Sequence, residues 1–189
     1  MPHLKQTERE KYTEVWNRPE ARLQSPAMRD HFTEIKAWAE QHNLNKLVDF
    51  GAGSGVLDLA LNKAGYKVHM IDLVPNCLNQ EVRSALCETL TFEEACLWEN
   101  NEYHADGVIC IDMLEHLPTE HVPAVVNLIH STAPHGFCNA ALFTHTVAGK
   151  ELHLTLKPPT WWVELFPNIT YDPSLIRRKD GLIHVMMVW

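Results

Sequence analysis

Three glycines at alternate positions open the chemically richest stretch of this chain. Asp49, Gly51, Gly53 and Gly55 spell D-x-G-x-G-x-G, and Asp72 stands one helix-length further on. Glycine lets the main chain turn sharply and lets a ligand approach it closely. A dinucleotide loop reads G-x-G-x-x-G, its third glycine allowing the helix to pack on the strand; here that third place holds Val56. No run of lysine or serine accompanies the loop to hold phosphate. The pattern therefore fits a ligand bearing a carboxylate and an ammonium, with Asp49 serving the amine, better than a pyrophosphate. Asp72 ends the next strand candidate, where a carboxylate can accept both hydroxyls of a ribose. The alternative reading is a tight strand-to-helix turn with an incidental aspartate.

The second set of candidates is histidine, whose ordinary pKa near neutrality suits proton removal. With twelve in the chain, most must be structural. His116, in L-E-H-L-P, directly follows an apolar strand candidate, on the side where open α/β sheets place their ligands; a loop histidine bonded to backbone or to Glu115 is the competing reading. His153, in G-K-E-L-H-L, follows the next strand in a segment able to close over an acceptor. His121 and His130 fall on the intervening helix, on a face expected to be solvated.

The elements that must position these residues alternate. Lys46 to Phe50 reads as a strand, Val56 to Ala64 as a helix closed by Gly65, and Lys67 to Asp72 as a second strand. Strand, helix, strand in so short a span predicts a right-handed βαβ unit and a parallel sheet. Asp106 to Ile111 and Phe137 to Thr144 continue it around an amphipathic helix from Thr119 to Ala133. A short helix follows near Thr160 to Phe166. The last strands are expected at Asn168 to Tyr171 or Leu175 to Arg178, and at Leu182 to Trp189, with Lys179-Asp180-Gly181 as a hairpin turn. Asn76 to Glu99 is ambiguous, since F-E-E-A-C-L-W suits a strand or a helix. Residues 1–45 form a polar preamble with helical stretches, the clearer from Met28 to His42 with Phe32, Ile35, Trp38 and Ala39 on one face.

A length of 189 residues suits one domain. With 16 basic and 24 acidic side chains the formal charge is -8, which repels a phosphate backbone and disfavours unaided nucleic-acid binding. The five cysteines, Cys77, Cys87, Cys96, Cys110 and Cys138, form no C-x-x-C pair, so reduced thiols and a cytoplasmic setting are expected. No apolar run reaches membrane-spanning length, and the N-terminus carries no apolar signal region.

V-D-F-G-A-G-S-G, H-M-I-D-L and A-D-G-V-I-C-I-D-M-L-E-H-L-P together resemble the class I S-adenosylmethionine-dependent methyltransferases, in their small-molecule branch, over about Lys46 to Thr144, with weaker similarity in E-L-H-L-T-L-K-P-P-T-W-W. The resemblance implies a Rossmann-like, doubly wound seven-stranded α/β sheet, mostly parallel with a reversed C-terminal strand. It implies S-adenosyl-L-methionine as cofactor, with Gly51, Ala52 and Gly53 against its methionine part, Asp72 and Leu73 near ribose and adenine, and Asp112 under the sulfonium. Two departures stand out: E-E-A-C-L-W-E-N-N lacks the family's short acidic signature after the third strand, and Pro134-His135-Gly136 replaces a common Gly-Gly.

Missing motifs narrow the acceptor. The Pro-Pro-aromatic signature of amino-methylating DNA enzymes is absent after the fourth strand, and no Pro-Cys pair exists for cytosine C5 chemistry. The end of the fifth strand offers Thr144, His145 and Thr146 in place of metal ligands, so no metal is expected. Tyr12, Trp16, Arg22 and Ser25 suit a lid over the cofactor cleft or a packed N-terminal helix, and Trp161-Trp162 suits an acceptor platform, a core helix or one ring in each role. The reading is a single domain over 1–189, with 1–45 as preamble or lid and 46–189 as the cofactor-binding core. Its expected reaction is O-methylation of a small or glycosidic acceptor with a histidine base, His116 or else His153. Two alternatives stay open: methylation of a protein or nucleic acid delivered by a partner, which a basic patch of Arg177, Arg178 and Lys179 would favour, and a non-catalytic cofactor-binding regulator.

Overall fold

Continuous apolar runs make the central strands, because parallel strands are covered on both faces. In the computed structural model, which describes residues 2–18, 26–99, 101–147, 149–179 and 181–189, β1 (Lys46–Phe50) pairs in parallel with β2 (Lys67–Asp72) and with β4 (Gly107–Cys110). Outside these lie β3 (Leu90–Glu94) and β5 (His135–Ala141), also parallel. The sheet is completed by β9 (Leu182–Val188), antiparallel to β5, and by β8 (Ile176–Lys179), antiparallel to β9. The order is β3-β2-β1-β4-β5-β9-β8, seven strands with β9 reversed. A separate two-stranded ribbon joins β6 (Thr146–Val147) to β7 (Lys150–Glu151).

Side chains alternate across the sheet and meet two cores. In β4, Val108 and Cys110 face α5 (Val122–Thr132) and α6 (Pro159–Glu164). Ile109 and Ile111 face α2 (Pro26–Gln41), α3 (Val56–Lys63) and α4 (Gln80–Ala85). The first helix, α1 (Pro2–Trp16), belongs to neither layer and lies across the carboxyl ends of the strands, where Tyr12 and Trp16 reach the second core. Asp106 ties β1 and β4 together at their starts, its Oδ2 accepting from the main-chain N–H of Asn45 and Lys46 at 3.0 and 2.8 Å.

The elements fall where the patterns put them; three open alternatives are resolved and one expectation is corrected. The ambiguous 76–99 stretch divides into α4 and β3, after which Ala95 to Trp98 leave the sheet. Of the two alternatives for the penultimate strand the later one forms, and 168–171 is irregular. His121 and His130, expected on a solvated face, are half-buried: His121 stacks on Trp98 at 5.2 Å, and His130 packs between Phe166 and Trp189. Trp162 is fully buried in the core while Trp161 is half-buried beside it. All five cysteines are free thiols, four of them buried.

Candidate functional site

The glycines after β1 hold left-handed backbone. Gly51, Gly53 and Gly55 have φ of +81°, +55° and +71°, a region that any other L-residue enters at a cost of about 1–2 kcal/mol. At Gly51 space is equally decisive, since a Cβ there would lie 2.3 Å from Cγ of Met113. The turn is closed onto β2 by the carbonyl of Ile71, which accepts from the N–H of Gly51 at 2.8 Å and of Ala52 at 3.2 Å. Asp72 clamps it from the side, accepting from Gly53 N–H at 3.0 Å and from Val74 N–H at 3.3 Å. Burial pushes the Asp72 carboxyl up to about 6, and these two N–H donors restrain the rise.

Above this turn, where the strand order reverses between β1 and β4, is a cavity of about 130 Å³. Gly51, Gly53, Asp72 and Leu73 form one end of it, extended by Ala95, Leu97 and Trp98 from the segment after β3. Asp112, Met113 and His116 form the other end. Tyr12 and Trp16 of α1 cover it, with the Trp16 ring 3.3 Å from where a Cβ on Gly53 would stand. The tethers of α1 are mainly exposed: Lys5 to Glu99 at 2.7 Å, ion pairs from Arg9 to Glu94 and from Lys150 to Glu14, and a hydrogen bond from Asn76 to the carbonyl of Thr13 at 2.9 Å. Such surface pairs are individually worth about 0–1 kcal/mol.

The second end is built on the turn after β4. Asp112 is one of two non-glycine residues with positive φ among those described, at +50°. Its N–H donates to Oδ1 of Asn139 at 2.6 Å, and its Oδ1 lies 3.5 Å from His184 Nε2. A single 3-10 turn, Leu114–His116, follows. His116 Nδ1 is 2.8 Å from the Tyr12 hydroxyl. Crowding of the His116 ring by its surroundings, with His153 and His145 adding unfavourable charge, lowers its pKa to about 3. The buried His153 packs edge-on to it, ring centroids 4.7 Å apart. His153 Nδ1 lies 2.5 Å from the carbonyl of Phe143; a carbonyl only accepts, so Nδ1 carries the proton and Nε2 presents a lone pair. Nε2 lies 4.0 Å from Oε1 of Glu115, a fully buried carboxyl whose two oxygens have no partner at full hydrogen-bond geometry. Burial, and then the neighbouring Asp112, raise the Glu115 pKa.

Of the residues expected from sequence, Gly51, Gly53, Asp72, Leu73, Asp112 and His116 line the cavity together; Asp49, Ala52, Gly55 and His153 do not. Asp49 is buried below the loop and turned onto Asp58; burial is the main cause that raises both carboxyls, and the neighbouring Asp58 raises Asp49 further. Asp49 is therefore not part of the cavity lining, where the expected amine role would place it. Gly55 starts α3, and a side chain there would meet Val82 and Met70. His153 stands behind His116. Tyr12 and Trp16 cover the cavity, while Arg22 and Ser25 lie outside the described residues. Unforeseen were Glu8, Met113 and Leu117, along with the apolar wall of Ala95, Leu97 and Trp98 that occupies the place of the missing acidic signature. Only the absence of that signature was a hint.

Residues 21–179 match a protein-family model described as Methyltransferase domain. No curated protein matches the sequence. Among solved structures, the chain is similar to the 1,6-didemethyltoxoflavin-N1-methyltransferase of Burkholderia thailandensis, crystallised with 1,6-didemethyltoxoflavin and S-adenosylhomocysteine. The match covers 100% of this chain and 89% of that one at 18% identity, with a TM-score of 0.70. The magnesium protoporphyrin IX methyltransferase of Synechocystis PCC 6803, with bound S-adenosylmethionine, covers 83% of this chain and 77% of its own at 19% identity, with a TM-score of 0.57. No described helix is long and apolar enough to cross a membrane.

Proposed function

The chain belongs to the S-adenosylmethionine-dependent methyltransferases, and from that premise we propose that it methylates a hydroxyl of a small-molecule or glycosidic acceptor, with His116 serving that hydroxyl. One observation carries the acceptor class. The Tyr12 hydroxyl already sits at His116 Nδ1, 2.8 Å away, at the end of the cavity beyond Asp112. It occupies the place of an acceptor hydroxyl. A cavity of about 130 Å³ is well below the roughly 300–1,000 Å³ of ligand pockets, so α1 acts as a lid that lifts to admit cofactor and acceptor. When Tyr12 withdraws, His116 Nδ1 is released to the incoming hydroxyl and, better solvated, regains basicity. The small-molecule class is supported by the small molecules after which the Burkholderia and Synechocystis enzymes are named.

With S-adenosylmethionine bound, Gly51 to Gly53 would hold its methionine part, Asp72 its ribose, Leu73 and the wall after β3 its adenine, and Asp112 would serve the sulfonium side. The bound cofactor would supply the methyl group for an in-line displacement in which the carbon–sulfur electrons stay on sulfur, while His116 would orient the acceptor hydroxyl and take its proton. Holding oxygen and methyl in line supplies most of the acceleration, and proton removal about 10²- to 10⁴-fold. No observation favours a macromolecular acceptor, since Arg177 is bonded to Glu34 at 2.5 Å and the Lys179 side chain lies outside the described residues. The test is an acceptor screen with labelled S-adenosylmethionine across sugars, phenols, peptides and oligonucleotides, followed by His116→Ala. The expected variant keeps cofactor affinity and loses about 10²- to 10⁴-fold in turnover. Undiminished turnover, or methylation confined to nitrogen or to polymers, refutes the reading.

A further inference from the structure

Behind the cavity wall three side chains of ligand type converge. Glu115, His116 and His153 each offer a donor atom, all within 4.8 Å of one another. Glu115 is the anomaly: it is 0% exposed, and neither carboxylate oxygen has a partner at full hydrogen-bond geometry, the main-chain N–H groups of Glu115 and Ala141 offsetting only part of its burial. A buried, unpartnered carboxylate is strongly unfavourable and requires a proton or a cation. His153 is set for the second possibility, because its Nδ1–H is held by the Phe143 carbonyl and its Nε2 lone pair lies on the Glu115 side at 4.0 Å. Metal-binding histidines are oriented in this way, by a hydrogen bond from the ring nitrogen that does not bind. The supporting backbone is stapled: Thr155 N–H donates to the Glu115 carbonyl at 2.9 Å, and Thr155 Oγ1 to the Leu117 carbonyl at 2.7 Å. The cluster joins the turn after β4 to the segment after β7, beside the end of β5, and draws its donors from residues other than the Thr144, His145 and Thr146 that the sequence argued against.

We propose that Glu115, His116 and His153 form a divalent-cation site at the acceptor end of the cavity. Two imidazoles and one carboxylate suit Mn²⁺, Co²⁺ or Zn²⁺ better than Mg²⁺ or Ca²⁺, which favour oxygen-rich sets. Bonds of about 2.0–2.2 Å set neighbouring donors about 3 Å apart, so the three side chains draw together by about 1–2 Å on loading. Three protein ligands leave positions open for the acceptor, and His116 already lines the cavity. The inference rests on the hydroxyl-acceptor reading and changes only how the proton is lost. A hydroxyl bound to the cation ionises to water, as a metal-bound water does, and the resulting oxyanion attacks the methyl carbon. His116 then serves the hydroxyl as a ligand in place of a base.

The experiment uses the full chain stripped with chelator and titrated with manganese(II) chloride, read by calorimetry and by loss of the free-ion paramagnetic signal, with S-adenosylhomocysteine binding measured alongside. One equivalent is expected to bind with a micromolar Kd. Glu115→Gln, which keeps the side-chain shape, and His153→Ala are each expected to weaken it by more than the 10- to 100-fold that loss of a supporting residue costs. Retained S-adenosylhomocysteine binding shows that each variant is folded; should His153→Ala fail that check, Glu115→Gln alone decides. Turnover of a hydroxyl acceptor is expected to fall on chelation and return with manganese. Absence of binding at millimolar manganese, or an unchanged Kd in Glu115→Gln, overturns the site. Full turnover by the stripped enzyme also overturns the inference and leaves His116 as the base. Manganese binding together with failure of every hydroxyl acceptor supports the site and sinks the oxygen reading.

Discussion

Replacing Asp72 tests the cofactor end most directly. Its carboxyl accepts from Gly53 and Val74 N–H, and the remaining lone pairs face the cavity. Hydrogen bonds to a charged group contribute about 1.5–3 kcal/mol, so losing both ribose hydroxyl contacts in Asp72→Ala is expected to weaken S-adenosylhomocysteine by at least 1.5 and up to about 3 kcal/mol, roughly 10- to 150-fold. The pH dependence supplies a second, independent magnitude. The folded carboxyl titrates at about 6 against an ordinary 3.8. Because the folded value is raised, this group favours the cofactor-free fold below pH 3.8, and that contribution is lost as pH rises through about 6. Ribose binding has the opposite sign, since it prefers the ionised acid: affinity should hold above about pH 7 and fall by up to tenfold per unit below 6. Asp72→Asn should abolish that slope. Calorimetric titration from pH 5 to 8 measures both effects. A wild-type dissociation constant independent of pH, or an unaltered one in Asp72→Ala, would refute the assignment.

Gly51→Ala places a methyl 2.3 Å from Met113 and strains a φ of +81°, so about 2–5 kcal/mol of stability should be lost from overpacking and left-handed strain together, read as a drop of about 5–15 °C in Tm; an unshifted melting curve would contradict the packing. Asp58 titrates at about 7 in the fold against 3.8 ordinarily, so its contribution is fully present below pH 3.8 and lost as pH rises to 7. Relative to wild type, Asp58→Asn should therefore be more stable at pH 8 than at pH 5 by up to about 3 kcal/mol, and parallel denaturant curves at both pH values for wild type and variant would count against it. Trp16→Ala removes the ring covering Gly53 and should speed S-adenosylhomocysteine release in stopped flow while leaving β-sheet signals intact; slower release would refute the lid.

Local rules made the sheet legible. Short continuous apolar runs, a glycine after α3 and a turn between β8 and β9 are short-range signals, and each is decided by backbone sterics and by which face is covered. Asp72 and the glycines could be assigned because their spacing alone delivers them to one turn. The acceptor end was only partly legible: His116 follows a strand directly, whereas Tyr12 meets it from 104 residues away in sequence.

What the sequence determined by itself was the βαβ frame, the reversed last strand and the end of the sheet at which the cavity lies, all consequences of local geometry and right-handed connection. Only tertiary structure decided that Asp49 turns onto Asp58 and away from the cavity, that α1 closes the cleft with Tyr12 and Trp16, and that Glu115 is buried beside two histidines. The reason is physical: a carboxylate's role depends on which charges and donors surround it after burial, and those neighbours come from elements far apart in the chain.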